Sequence, residues 1–369
     1  MSPAADLSIR ARWDGQRVSE VTTVNLRPQG APLLRGLTAA EACERVPRLF
    51  SLCSAAQGTA AVLACTAAGV GAHAPGGSAC AAQLRAEMVR EHLWRLLLDW
   101  PAALGRPARR EVFADSYRRV RTAGAAGPGA TWPAEVSAWL EREWPAGVAD
   151  ELAAGERHAA TDTGAADTLL GVFTALIEED RPTTGTDMQW LPQQHATEWA
   201  RAFGSVPPPA FCMQPCLGGA GRETGALARQ ARAPAVAALL GRGQRVAARY
   251  RARVLDLQEC LQSLADPSAD GTALCDAAVL PDGGGIARVE TARGTLLHAV
   301  RLEHGRIDDY AIVAPTEWNL HPDGPLVRET RGHAFTGLRA AQRHLERLAL
   351  ALDPCVAFEV SLDDVNTRY

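Results

Sequence analysis

The sequence predicts one α+β domain, mainly helical, in which strand-forming segments near both ends of the chain enclose a helical middle. Leu7–Trp13 and Val18–Asn25 resemble two strands, and Asp14-Gly15 between them is a turn dipeptide that favours positive φ. Residues 286–316 are again strand-like, with a turn at His304-Gly305. These observations predict that the N- and C-terminal segments come together in the folded chain.

The middle of the chain is predicted to be helical. Residues 37–71 start with Thr38 as a plausible N-cap, and Glu41 three residues later completes a capping box. Residues 79–100 form a second predicted helix that ends at Pro101 and is buried along much of its length. Further helices are predicted at residues 133–144, 165–179, 223–264 and 337–351, with breaks at residues 122–133, 180–187 and 205–221.

The composition is that of a globular protein with no electrostatic affinity for polyanions. The chain has 369 residues, of which 47% are hydrophobic and 22% charged, and its net charge is −4. We therefore expect neither nucleic acid nor an anionic membrane surface as a partner. The longest apolar stretch, residues 60–72, is interrupted by Thr66, Gly69 and Gly71, and residues 1–13 have no signal-peptide core. A cytoplasmic location is expected.

Two residue types limit the possible chemistry. All 38 basic residues are arginine, which excludes a Walker A lysine, a Schiff-base lysine and a pyridoxal-phosphate site. The nine cysteines are scattered and form no intact Cys-x-x-Cys motif. We expect most of them to be reduced, with several as small core residues.

Two half-motifs, one near each end of the chain, are the most informative part of the sequence. Residues 48–57 read Arg-Leu-Phe-Ser-Leu-Cys-Ser-Ala-Ala-Gln and contain Cys53. Residues 353–361 read Asp-Pro-Cys-Val-Ala-Phe-Glu-Val-Ser and contain Cys355. Each looks like a Cys-x-x-Cys metal motif in which the other cysteine has become phenylalanine, at Phe50 and Phe358. The chain has therefore kept part of an ancestral metal site.

The half-motifs resemble those of the nickel–iron hydrogenase large subunit. That family has Arg-x-Cys-x-x-Cys near its N-terminus and Asp-Pro-Cys-x-x-Cys-x-x-His near its C-terminus. Its four thiolates hold nickel, and two of them bridge to an iron that carries cyanide and carbon monoxide. Segments at residues 223–229, 290–298 and 313–319 are also similar, in the family's order. The resemblance implies one domain over residues 1–369 with a large-subunit-like fold, small N- and C-terminal β elements and a divergent middle at about residues 105–210.

The resemblance also implies an incomplete nickel site. Cys53 falls on a bridging position and Cys355 on a terminal nickel position, whereas phenylalanines occupy the other two. Gln57 replaces the histidine of the first motif, and Ser361 replaces the histidine at which the family's maturation protease cuts. No counterpart of the family's proton-relay glutamate precedes the first strand. We therefore expect no nickel and no catalysis.

The surroundings of the family's iron are retained. In the family, a Pro-Arg-Gly and a Pro-Ser/Thr stretch donate hydrogen bonds to the two cyanides. Arg293-Gly294 and Pro315-Thr316 stand at those positions, although Ala292 replaces the first proline. Cyanide nitrogens are anionic acceptors that need such donors inside a protein, and thiolate suits a low-spin iron. The resemblance thus implies that the chain holds the iron fragment.

This combination is similar to the HupK/HoxV-type hydrogenase formation proteins. The resemblance implies a non-catalytic maturation factor that transiently carries iron with cyanide and carbonyl ligands before transfer to the hydrogenase large subunit. Its expected partners are the large-subunit precursor and the maturation factors that build the iron–cyanide fragment. Two alternatives stay open, a divergent hydrogenase-like oxidoreductase and a metal-free chaperone that mimics the large subunit.

Each candidate residue also has an ordinary structural interpretation. The two motif cysteines could be core residues. Arg293 could form an ion pair with Glu290 or Asp353, and Thr316 could make a turn hydrogen bond. Asp353 could tune Cys355 or a neighbouring arginine, or could open a turn.

Three further features favour structure over chemistry. Cys212 and Cys216 lie in a proline-containing loop and are a weak candidate for a thiol pair. His298 matches a family position but is more typical of a hydrogen-bonded structural histidine. Residues 229–253 carry seven arginines and no acidic residue, which predicts either a solvated helix face or a docking face for an acidic partner.

Overall fold

A computed structural model describes residues 6–50, 52–70, 77–123, 131–156, 166–180, 182–183, 188–266 and 273–365. The predicted break at residues 122–133 falls mostly outside these ranges, as do five residues of the predicted break at 180–187 and Ser51 of the first half-motif.

A three-stranded sheet joins the two ends of the chain. Strands β1 (Leu7–Trp13) and β2 (Val18–Asn25) form the predicted antiparallel hairpin. The last strand of the chain, β7 (Phe358–Asp364), pairs in parallel with β1, giving the sheet order β2-β1-β7. The prediction that the terminal segments come together is therefore confirmed.

A second sheet contains four antiparallel strands in the order β3-β4-β5-β6. They are β3 (Cys275–Val279), β4 (Gly285–Thr291), β5 (Gly294–Glu303) and β6 (Arg306–Val313). The predicted turn joins β5 to β6, and His304 and Gly305 both have positive φ. A tighter turn at Ala292 and Arg293 joins β4 to β5, and the Arg293 side chain at this turn is buried.

Helices make up most of the remaining described chain. The first half contains α1 (Ala39–Leu49), α2 (Ser54–Ala67), α3 (Gly77–Trp94), α4 (Trp100–Ala103), α5 (Arg110–Ala123), α6 (Trp132–Glu143), α7 (Ala146–Ala154) and α8 (Leu169–Glu179). The second half contains α9 (Ala196–Phe203), α10 (Pro209–Met213), α11 (Ala226–Gln230), α12 (Pro234–Gly241), α13 (Arg245–Ala265), α14 (Pro315–Asn319), α15 (Pro325–Thr330) and α16 (Leu338–Ala351). No helix of the described ranges is both long enough and apolar enough to cross a lipid bilayer.

The predicted helix over residues 37–71 is two helices, not one. Its N-terminus is as predicted, because Thr38 and Glu41 form the capping box at the start of α1. The chain then leaves the helix before Cys53, and α2 begins at Ser54. The buried Glu87 carboxylate of α3 accepts hydrogen bonds from the backbone N–H groups of Ala55 (2.7 Å) and Ala56 (3.0 Å). A carboxylate from a distant helix thus caps α2 and fixes the break beside Cys53.

Two other predicted helices are also interrupted. The helix over residues 79–100 changes into a π-helical turn at Arg95–Asp99, and Pro101 lies in the first turn of α4 and does not end the helix. The helix over residues 223–264 is divided into α11, α12 and α13. Pro234 starts α12, and Gly243, with a φ of +74°, redirects the chain before α13.

Helix α13 lies at the centre of the helical layer and contacts α3, α6, α11 and α12. Its arginines point inward. Arg249 is 3% exposed and bridges the buried carboxylates of Glu223 (2.7 Å) and Glu329 (2.6 Å). Both sequence-based interpretations of residues 229–253, a solvated face and a docking face, are therefore wrong for this helix. The acidic partners come from segments distant in sequence, so the local pattern could not show them.

Replacement of Arg249 by glutamine should destabilise the fold strongly. The substitution leaves two buried carboxylates without their counter-charge, and breaking such a network costs about 3–5 kcal/mol. The free energy of unfolding, measured in urea, checks this. Arg118→Gln is the matched control, because Arg118 forms a solvent-exposed ion pair within α5. Equal stability of the two variants would contradict the structural role of Arg249.

Candidate functional site around Cys53 and Cys355

The structure brings the two motif cysteines to one place. Cys53 is the residue before α2, and Cys355 lies between α16 and β7. Both are partly exposed. Burial raises the pKa of the Cys53 thiol to about 12, with smaller contributions from Cys355 and Glu87. Cys53 is therefore protonated at neutral pH, and Cys355 belongs to its electrostatic surroundings.

Cys355 is held by hydrogen bonds from two directions. The Thr316 hydroxyl donates to its Sγ (3.2 Å), and the backbone N–H of Cys355 donates back to Thr316 Oγ1 (3.2 Å). Arg27 Nη1 also donates to the sulfur (3.1 Å). Thr316 is buried in the first turn of α14, whose first residue is Pro315. The predicted Pro315-Thr316 segment thus lies at the thiol, and Thr316 bonds to the cysteine itself.

Arg293 lies beside both thiols. Its Nη2 donates to Glu91 Oε2 (2.8 Å), and its Nε is 3.5 Å from Asp353 Oδ1 but has no hydrogen-bond partner within the described chain. Burial would lower the pKa of Arg293, but Asp353, Glu91 and the two cysteines raise it above its usual value. Of the two predicted ion-pair partners, Asp353 is correct and Glu290 is wrong, because Glu290 pairs with Arg229 (2.9 Å).

Gly294 allows two backbone segments to touch behind Arg293. Its φ is +126°, and a Cβ atom there would lie 2.4 Å from Thr224 Cγ2. Gly225 faces it with a φ of +104°, and a Cβ atom there would lie 2.6 Å from the Arg293 carbonyl oxygen. Only glycine fits both positions without displacing the backbone. The role of Gly294 in the structure is therefore to position Arg293.

Asp353 is a buried carboxylate surrounded by arginines. Arg95 Nε donates to its Oδ1 (2.6 Å) and Arg253 Nη1 to its Oδ2 (2.9 Å). Burial would raise the pKa of Asp353, but Arg253, Arg293 and Arg95 hold it far below the usual range. Arg95 Nη2 also donates to the carbonyl oxygen of Pro354 (2.6 Å). Asp353 therefore neutralises an arginine cluster and fixes the backbone that leads into Cys355.

A second hydrogen-bonded chain leads away from Cys53. Gln57 Nε2 donates to Cys53 Sγ (3.7 Å), and Gln57 Oε1 is 2.8 Å from His298 Nε2. His298 Nδ1 is in turn 2.7 Å from the Tyr310 hydroxyl. His298 is fully buried, and burial lowers its pKa to about 3. His298 is therefore a hydrogen-bonded structural histidine, which agrees with the interpretation made from the sequence.

The remaining motif positions do not add ligands. Phe50 and Phe358 are partly buried against two different parts of the core. Cys212 is buried and Cys216 is exposed. No three His, Cys, Asp or Glu side chains of the described ranges converge in a metal-binding cluster.

Several residues at the site were not predicted from the sequence. Glu87 and Glu91 lie one turn apart on α3, and acidic residues in a helix predicted to be buried are a signal that could have identified them. Glu317 lies in a recognised segment but had no assigned role. Arg27 gives no local signal, because it contacts Cys355 only through the tertiary fold.

Comparison with known proteins first defines the class. The nickel-dependent hydrogenase family matches residues 226–360. The Ni-Fe-Se hydrogenase of D. vulgaris Hildenborough shares the fold, with a TM-score of 0.58 at 16% identity over 92% of this chain and 93% of that chain. The predicted hydrogenase large-subunit-like fold is thus confirmed.

Relatives at higher identity define the family within that class. The HupK hydrogenase expression/formation protein of Rhizobium leguminosarum bv. viciae is 32% identical over 92% of this chain and 88% of the relative. HupK of Azotobacter vinelandii is 34% identical over 91% of both chains, and HoxV of Cupriavidus necator is 30% identical over 90% of this chain and 91% of the relative. The chain belongs to the HupK/HoxV family of hydrogenase expression/formation proteins.

The buried histidine should make stability depend on pH. The pKa of His298 is about 3 in the fold against an ordinary value of 6.5, so between these values the unfolded chain binds a proton that the folded chain does not. Its contribution to stability is complete above pH 6.5 and declines as the pH falls towards 3. Between pH 6 and 4, the unfolding free energy of the wild type should fall more steeply than that of His298→Gln, by about 1.4 kcal/mol per pH unit. Parallel pH profiles would contradict this assignment.

Proposed function

We propose that this protein is a non-catalytic scaffold in hydrogenase maturation that carries the iron–cyanide–carbonyl fragment before its transfer to the large subunit. The names of its relatives support the coarser part of the proposal, a role in hydrogenase formation. The proposal that the protein carries the iron fragment rests on one observation. Two neighbouring thiols lie beside the buried guanidinium of Arg293, whose Nε lacks a hydrogen-bond partner within the described chain.

The donor set suits this cargo. Cys53 would release its proton on binding the metal, and the two thiolates would then provide soft ligands for a low-spin iron. The Arg293 Nε–H provides a donor for a cyanide nitrogen, which is an anionic acceptor. The Thr316 hydroxyl provides a second donor by turning its single O–H away from Cys355 Sγ. Asp353 takes part indirectly, because it holds the guanidinium and the backbone before Cys355. Gly294 and Pro315 position Arg293 and Thr316.

This set of two thiolates and a few hydrogen-bond donors suits a carrier better than an enzyme. A carrier has to release its cargo, and two thiolates hold a metal less firmly than the four of a complete hydrogenase site. The phenylalanines at positions 50 and 358 pack in the core and supply no ligand. The proposed partners are therefore the factors that build the fragment and the large-subunit precursor that receives it.

Infrared spectroscopy tests the proposal directly. Protein purified without oxygen from cells that express the maturation machinery should show cyanide and carbonyl stretching bands. Cys53→Ala and Cys355→Ala should each reduce these bands at least tenfold, because either change leaves a single thiolate ligand. Cys216→Ala is the matched control, since Cys216 is exposed and belongs to neither half-motif.

The outcomes separate the remaining functions. Bands that persist in both motif variants would contradict the proposed ligands. A featureless spectrum from folded wild-type protein would favour a metal-free chaperone that mimics the large subunit, a function that the shared fold allows. Hydrogen-dependent dye reduction by the purified protein would instead identify a divergent oxidoreductase.

Thr316 permits a finer test of the cyanide environment. Thr316→Val keeps the shape of the side chain but removes its hydroxyl, so one cyanide band should shift while the carbonyl band changes less. Thr316→Ser retains the hydroxyl and should restore the wild-type position. Identical spectra for the valine variant and the wild type would show that Thr316 serves Cys355 alone.

A further inference from the structure

Arg27 is fixed against Cys355 by the N-terminal part of the chain. It lies two residues beyond β2, and its backbone N–H donates to Asn25 Oδ1 (3.0 Å). Its side chain is 12% exposed, with Nη1 on Cys355 Sγ (3.1 Å) and Nη2 on Glu317 Oε1 (2.7 Å). The guanidinium thus bridges a carboxylate and a sulfur.

Glu317 keeps the guanidinium in place. Its side chain is 1% exposed, and Asn25 Nδ2 also donates to its Oε1 (3.5 Å). A carboxylate this deeply buried requires a paired cation, so moving Arg27 away would leave a costly unpaired charge. The positive charge at Cys355 is therefore a permanent part of the fold, and arginine remains charged at every physiological pH.

This charge affects different metal species differently. A bare divalent ion on Cys355 would place two further positive charges beside Arg27, the cation in direct contact with the sulfur. Glu317 offsets part of the Arg27 charge, and Glu91 and Asp353 offset that of Arg293, so the repulsion from Arg27 at the sulfur is the larger effect. In the iron fragment, two cyanides cancel the charge of a ferrous ion and carbon monoxide adds none. The fragment is electroneutral apart from the thiolates, so neither guanidinium repels it.

We infer that Arg27 is a specificity-determining residue that excludes bare divalent metal ions from the Cys53–Cys355 pair while admitting a charge-neutralised metal fragment. The identity of the admitted fragment rests on the proposed function, whereas the exclusion of bare ions does not. Cys355 falls on a terminal nickel position of the large-subunit motif, and in this chain the Arg27 guanidinium lies against that sulfur.

Cobalt(II) is a suitable probe, because its thiolate complexes have intense charge-transfer absorption. Protein made in cells that lack the hydrogenase maturation machinery is titrated with Co²⁺ without oxygen. Arg27→Gln should bind Co²⁺ about tenfold more tightly than the wild type or better, with new sulfur-to-cobalt bands. Adding Cys355→Ser to this variant should remove both the bands and the gain in affinity.

Two further variants make the result decisive. Arg27→Gln leaves Glu317 unpaired, so the double variant Arg27→Gln, Glu317→Gln preserves a neutral hydrogen-bonding pair if the single variant folds poorly. Arg35→Gln removes a more exposed arginine that pairs with Asp309, and should leave cobalt affinity unchanged. Folded Arg27 variants that bind Co²⁺ no more tightly than the wild type would overturn the inference, and so would an equal gain in Arg35→Gln.

The cobalt titration and the infrared spectrum test separate claims, so either claim can be refuted without the other. Wild-type protein without cyanide bands would refute the carrier proposal, while the titration would still decide whether Arg27 excludes bare ions. Cyanide bands in the wild type, together with unchanged cobalt affinity in the Arg27 variants, would refute only the role of Arg27.

Discussion

The buried carboxylate of Asp353 is the constraint on which the site depends. It accepts hydrogen bonds from Arg95 and Arg253 and lies 3.5 Å from Arg293. These arginines come from the π-helical turn after α3, from α13 and from the turn between β4 and β5, so one side chain joins three segments that are distant in sequence. Without its charge the arginines would repel one another in the interior, and the backbone before Cys355 would lose its support.

The absence of lysine has a structural consequence. Arg95 donates at once to Asp353, to Asp99 and to the carbonyl oxygen of Pro354, and Arg249 bridges two carboxylates. A planar guanidinium with five N–H donors can form such networks, whereas an ammonium group has three donors and no fixed plane. The interior of this protein is therefore organised by arginine–carboxylate networks as well as by apolar packing.

The site combines rigidity with incomplete ligation. Asp353, Glu317 and the facing glycines fix the surrounding groups, whereas the proposed metal ligands are the two motif cysteines. Under the proposed function, the guanidiniums of Arg27 and Arg293 would recognise the metal fragment, and the small number of thiol ligands would permit its release.

The family, the N-terminal hairpin, the capping box at Thr38 and the two motif cysteines could be predicted from the sequence, because these depend on local patterns and short motifs. It did not determine where helices break or which charges pair. The carboxylate that caps α2, the acids that bind the arginines of α13 and the contact of Arg27 with Cys355 all join residues far apart in the chain. Such pairings are set by burial, because a desolvated charge is tolerated only where the fold supplies its counter-charge, and only the tertiary structure decides which segment supplies it.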